Sequence, residues 1–115
     1  MKKTKMLKKN YEFKLVLSRG KYYNGKNITI TVINNNKNIN LLGIAVSTKN
    51  GKAFQRNRLK RIIREAYNQL ENYLENGYSV VVLLKKDFCI DNINYNSILE
   101  DMKQIFSQAK IIKEE

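Results

Sequence analysis

The sequence predicts an α+β fold, a single-domain α/β sandwich in which one sheet is covered by helices. Three observations carry this. Apolar spacing switches along the chain between a rhythm of three and four and strict alternation, in the order α-β-β-α-β-α. Gly20 and Gly77 stand where two helical patterns stop. At 115 residues and 43% hydrophobic composition, the chain fills one modest core and no linker divides it, so residues 1–115 form one domain.

The elements follow in order. Residues 1–6 are expected to be flexible. Asn10 caps a helix running to about Arg19, with Tyr11, Phe13, Val16 and Leu17 at helical spacing. Lys21–Asn27, with the pair Tyr22 and Tyr23, is either a loop or one extra short strand near 21–26. Ile28–Ile33 alternates apolar residues with Thr29 and Thr31, the pattern of a half-buried strand. Asn34–Asn40 is a turn and Leu41–Ser47 a second strand, so these two strands are expected to pair as a hairpin. After a polar loop containing Gly51, a long helix spans about Ala53 to Asn76. Its stripe is Leu59, Ile62, Ile63, Ala66, Tyr67, Leu70, Tyr73 and Leu74. Tyr78–Lys85 carries the run SVVVLL, which implies a strand buried on both faces. Asp87–Asn96 is a loop, and a last helix runs from about Tyr95 to Lys110. The unit 41–85 reads as βαβ with parallel strands, whose ordinary crossover is right-handed.

Charge is distributed unevenly. Seventeen of the 22 Lys and Arg residues and one of the ten acids, Glu12, fall in residues 1–64. The remainder holds five lysines and nine acids. A basic field confined to half a domain suits a polyanion. The single cysteine, Cys89, excludes an intramolecular disulfide and is read as an apolar filler. Without histidine and with one cysteine, a structural zinc site is excluded, and no metal site is assigned to the chain; Asp87 and Asp91 are either Mg²⁺ ligands or, as is more common for loop acids, simply solvated. The basic start MKKTKMLKK is followed by no apolar region, and the longest apolar run, Val80–Leu84, is too short to span a bilayer. A cytoplasmic location with no membrane partner is expected.

The sharpest signal is residues 52–67, KAFQRNRLKRIIREAY. A helix N-terminus favours acids in its first turn, each misplaced cation costing about 0.3–1 kcal/mol. Here Arg56, Arg58, Lys60 and Arg61 come first, and no acid appears until Glu65. On a helical wheel Arg56 and Lys60 line one edge of the apolar stripe, Arg64 continues that row outward, Asn57 and Arg61 face away from the core, and Arg58 sits near the other edge. A merely solvated helix mixes its charges, as this one does only later. Arginine forks and an asparagine amide on an exposed arc fit phosphate oxygens.

This stretch, RNRLKRIIREAY, preceded by GIAVSTKNGKAFQ and with LKKNYEFKLVLSRG upstream, resembles the protein subunit of bacterial ribonuclease P over roughly residues 5–110. The resemblance implies a ribosomal-protein-like sandwich whose βαβ crossover is left-handed, against the base rate. It implies a ribonucleoprotein in which a catalytic RNA and Mg²⁺, carried mainly by that RNA, remove the 5′ leader of precursor tRNA. On this chain it implies no catalytic residue. Lys52, Arg56, Asn57, Arg58 and Arg61 would bind the catalytic RNA. Phe13, Leu17, Thr31, Lys60 and Arg64 would form a leader cleft between the first helix and the sheet. Leu17 and Thr31 stand where the family often has aromatic residues, which shifts weight to Lys60, Arg64 and shape. Phe13 is either a stacking ring or ordinary core; Tyr22 and Tyr23 are read as packing or surface residues. The composition agrees with an RNA-borne active site, because the basic half cannot assemble paired carboxylates for a two-metal site. The alternative is a ribosomal protein or RNA chaperone that binds structured RNA without a role in leader cleavage. No DNA partner is expected, because no second helix closely flanks 53–76 to make a helix-turn-helix.

Overall fold

The computed structural model describes residues 3–85 and 90–113. Five strands and three helices follow in the order β1 (Thr4–Met6), α1 (Asn10–Arg19), β2 (Lys21–Asn24), β3 (Ile28–Asn34), β4 (Asn40–Ala45), α2 (Ala53–Leu70), β5 (Tyr78–Leu84) and α3 (Tyr95–Gln108). They build one mixed sheet of order β1-β4-β5-β3-β2. The α/β sandwich expected from sequence is present, enlarged by two short edge strands. Lys21–Asn24 is a strand antiparallel to β3, which settles one open alternative. Thr4–Met6 pairs in parallel with Asn40–Leu42, so this part of the segment expected to be flexible is an ordered edge.

The apolar run of β5 explains the sheet. A strand buried on both faces belongs at the centre, and β5 lies there, antiparallel to β3 and parallel to β4. It therefore separates β3 from β4, and the expected hairpin between them does not exist. The βαβ unit is present, with β4 and β5 adjacent and parallel on either side of α2 in the chain.

Helices cover both faces. Leu59, Ile63, Ala66, Tyr67 and Leu70 of α2, with Ile98, Met102, Ile105 and Phe106 of α3, pack on the face bearing Ile28, Ile30, Val32, Val80 and Val82. On the opposite face Val16 of α1 packs with Leu7 and Val81. That second layer corrects the reading of β3 as half-buried, since Thr29 and Thr31 are buried too. Tyr67, in the first core, donates to or accepts from the Thr4 hydroxyl at 2.8 Å, tying β1 to α2.

Two helix ends differ from expectation. Lys9, with extended backbone, is the residue that caps α1, and Asn10 is its first helical residue. The Lys9 amide donates to the Glu12 carboxylate at 3.1 Å, placing the one acid of the basic half where the helix dipole favours it. The long helix stops at Leu70 and continues only as a 3₁₀ turn, Glu71–Tyr73. Tyr73 accordingly leaves the stripe and is exposed. The chain then turns through Gly77, whose φ of +97° strains any other L-residue. At the far edge, buried Asp101 of α3 accepts from the amides of Lys26, Asn27 and Ile28, fixing the β2–β3 turn.

Candidate nucleic-acid interface

The head of α2 is braced from inside. The Lys52 amide donates to Gln55 Oε1 at 2.8 Å, and Gln55 Nε2 donates to Asp91 Oδ1 at 2.7 Å. One side chain thus closes the helix start and pins it to the 3₁₀ turn Ile90–Asn92. A Cβ at Gly51 would lie 2.7 Å from that Gln55 oxygen, so glycine lets the loop come this close. Arg56 Nη1 donates to the Gly51 carbonyl at 2.8 Å and lies 3.5 Å from the Thr48 carbonyl. Arg56 is therefore half-buried and holds the loop before the helix with part of its fork. A guanidinium has five N–H donors, so this leaves donors for a second partner.

Around this brace Lys52, Asn57, Arg58, Arg61 and Arg64 are exposed, and the first turn of α2 contains no acid. The positive end of the helix dipole and these side chains therefore add to one field. The five residues that sequence assigns to catalytic-RNA binding are brought together on one helix head, four of them open to solvent and Arg56 partly committed to the loop.

The second surface lies across the sheet. A Cβ at Gly43 would approach Phe13 Cε1 to 2.6 Å, and one at Gly20 would approach Thr31 Cγ2 to 2.6 Å. These close approaches set α1 across the row Gly43–Val81–Thr31, three residues in register on adjacent strands. The next row on the same face is Ala45–Leu83–Thr29, in which Thr29 is buried and Ala45 and Leu83 are half-buried. A groove of about 760 Å³ opens at the ends of β4 and β5, lined by Ala45, Val46, Ser47, Lys49, Asn50, Leu83 and Leu84. Leu17 is 42% exposed and Tyr22, the cross-strand partner of Thr31, is 59% exposed.

The five residues expected to form the leader cleft do not form one site. Phe13 is half-buried over Gly43 and Leu17 is exposed on the same helix. Thr31 lies beneath the end of α1, 3% exposed, and cannot reach a ligand. Lys60 and Arg64 belong to α2, on the opposite face of the sheet from Phe13. The positive charge beside the groove comes instead from Lys49. Sequence reasoning misses Ala45, Leu83 and Lys49, because strand register decides which residues share the groove, and the hairpin that would have set the register does not form. Tyr22 escapes it for the same reason: its partner strand is not legible locally. Asp91 accepts from Gln55 and braces the helix, while Asp87 and Cys89 lie outside the described residues.

The family model for Ribonuclease P matches residues 1–110. This chain belongs to the ribonuclease P protein family. Its relatives include the ribonuclease P protein component of Clostridium kluyveri, 37% identical over 109 residues, covering 93% of this chain and 96% of that one. The protein component of Fusobacterium nucleatum is also 37% identical over 109 residues, covering 92% and 97%. Among solved structures, the Staphylococcus aureus RNase P protein superposes with a TM-score of 0.81 at 25% identity, covering 94% of this chain and 97% of that one. The Thermotoga maritima RNase P protein gives 0.80 at 25% identity, covering 90% and 96%. Family membership makes the braced helix head and the open sheet face the two surfaces to explain as parts of a ribonuclease P protein. No described helix is long and apolar enough to cross a membrane.

Proposed function

We propose that this chain is the protein subunit of a ribonuclease P ribonucleoprotein. It binds the catalytic RNA through Lys52, Asn57, Arg58 and Arg61, with the remaining donors of Arg56, and assists Mg²⁺-dependent removal of the 5′ leader from precursor tRNA. The observation that carries this is the head of α2: exposed cations, no acid in the first turn, and an internal brace that holds them in place. Such a site gains phosphate contacts without first ordering its backbone.

The leader is assigned to the groove at Ala45 and Leu83, with Leu17, Tyr22 and Lys49 as the exposed residues beside it. An apolar floor and an exposed tyrosine offer faces to unpaired bases, while lysine meets the backbone. Mg²⁺ would be carried by the RNA. The reaction is assigned to groups on the RNA.

Reconstitution tests this directly. Adding the chain to the catalytic RNA should lower the Mg²⁺ and salt needed for accurate leader removal. Unchanged requirements, with binding to the RNA no tighter than to an unrelated structured RNA, would overturn the assignment.

A further inference from the structure

Phe54 is the most exposed large apolar residue of the described chain, at 68%, and it stands in the first turn of α2. No core position explains it, and the charged arc around it has no use for a bare ring in water. Beneath it lies a pocket of about 90 Å³ lined by Phe54, Arg58, Leu59, Ile62, Ile90 and Ile93, with Gln55 and Asp91 at its side. Leu59, Ile90 and Ile93 are buried, so the pocket has an apolar floor. The Gln55–Asp91 hydrogen bond fixes one wall.

The size and charge of this pocket select its occupant. It is far smaller than the ~300–1,000 Å³ of ordinary small-molecule sites, so it takes a single planar ring or an edge of one. Asp91 repels a phosphate from the pocket itself, while Lys52, Asn57, Arg58 and Arg61 attract phosphates around it. A ligand that is apolar and planar at one point and polyanionic on either side is an unpaired nucleotide in an RNA strand. Resting on the proposed function above, we infer that Phe54 and its pocket seat one unpaired base of the catalytic RNA, with Arg58, four residues on, holding an adjacent phosphate. The site would thus read RNA conformation, a bulged or looped base, as well as backbone charge.

The chain contains no tryptophan, so Phe54→Trp installs a unique fluorophore in the site. The catalytic RNA would be titrated against the wild-type chain, Phe54→Ala and Phe54→Trp at several salt concentrations. Phe54→Ala should weaken binding roughly 5- to 150-fold, with the salt slope unchanged because the substitution removes no charge. Phe54→Trp should retain affinity, and its emission should be quenched when the RNA binds. Melting of the free Phe54→Ala chain should match wild type, as the ring is exposed. Wild-type affinity in Phe54→Ala, or an unquenched tryptophan in the bound complex, overturns the inference while wild-type binding leaves the proposed function standing. A wild-type chain that fails to bind the RNA overturns both.

Discussion

Gly20 and Tyr67 show how single atoms set the layers. A Cβ at Gly20 would fall 2.6 Å from the Val16 carbonyl and 2.6 Å from Thr31 Cγ2. The first neighbour is backbone and cannot rotate away, so Gly20→Ala should push the end of α1 off the sheet. A loss of about 1–3 kcal/mol is expected, typical of overpacking, read from denaturant melts of the free chain. Wild-type stability would mean that the helix end yields freely. Tyr67 is fully buried, and burial raises its hydroxyl pKa from 10.0 to about 12, with the Thr4 hydrogen bond acting in the other direction. The folded chain therefore holds this proton more tightly than the unfolded one. Its contribution is constant below pH ~10 and is lost as pH rises through the folded value, each tenfold difference in proton affinity between the two states being worth about 1.4 kcal/mol. Lysines deprotonate in the same window, so the comparison is with Tyr67→Phe. Stability should fall more steeply from pH 10 to 12 in wild type than in Tyr67→Phe. Parallel curves would show that Tyr67 ionises without opening the fold.

Element α2 combines two kinds of arginine that look alike in sequence. Arg56 hydrogen-bonds the loop before the helix, whereas Arg58 and Arg61 are exposed. Arg58→Ala with Arg61→Ala should weaken binding to the catalytic RNA and leave melting unchanged. The slope of log affinity against log salt should fall by about 0.7–0.9 for each phosphate that the variant no longer neutralises. Arg56→Ala should additionally loosen residues 48–52, seen as faster amide exchange there. If the double variant keeps the wild-type slope, those two arginines do not touch phosphate. Helices α1 and α2 and strand β5 are legible in the sequence because each has a local signature: apolar period, capping glycine, uninterrupted apolar run. The pairing of β3 with β5 is not, since it follows from where β5 must be buried, a property of the whole sheet. The misplaced cleft residues trace to the same gap. Thr31 shares its alternation pattern with exposed threonines, and only α1 lying across it makes it buried. Lys60 and Arg64 continue the row of Arg56 on a wheel, but a wheel does not say which face of the sheet the helix takes.

At the scale of the whole molecule, loop 46–52 joins the two surfaces proposed to face RNA. Lys49 lines the groove, and the Gly51 carbonyl, two residues on, receives Arg56 at the head of α2. The strands β4 and β5 end at this loop and groove, so the most basic helix end and the groove are neighbours. On the proposed function, this arrangement would let one domain hold a catalytic RNA and a single strand leaving its active site. It also separates the variables experimentally. Tyr22 is exposed and far from the α2 head in sequence and layer, so Tyr22→Ala should spare both folding and catalytic-RNA binding. With the reconstituted complex, affinity for leader-bearing precursor tRNA should drop by roughly 1–3 kcal/mol, the range for one stacked base. Affinity for mature tRNA, which offers no leader, should stay the same. Lys49→Ala should act in the same direction with a smaller, salt-sensitive loss. Equal weakening of both substrates would place Tyr22 against the tRNA body, and no weakening of either would move the leader off this face of the sheet.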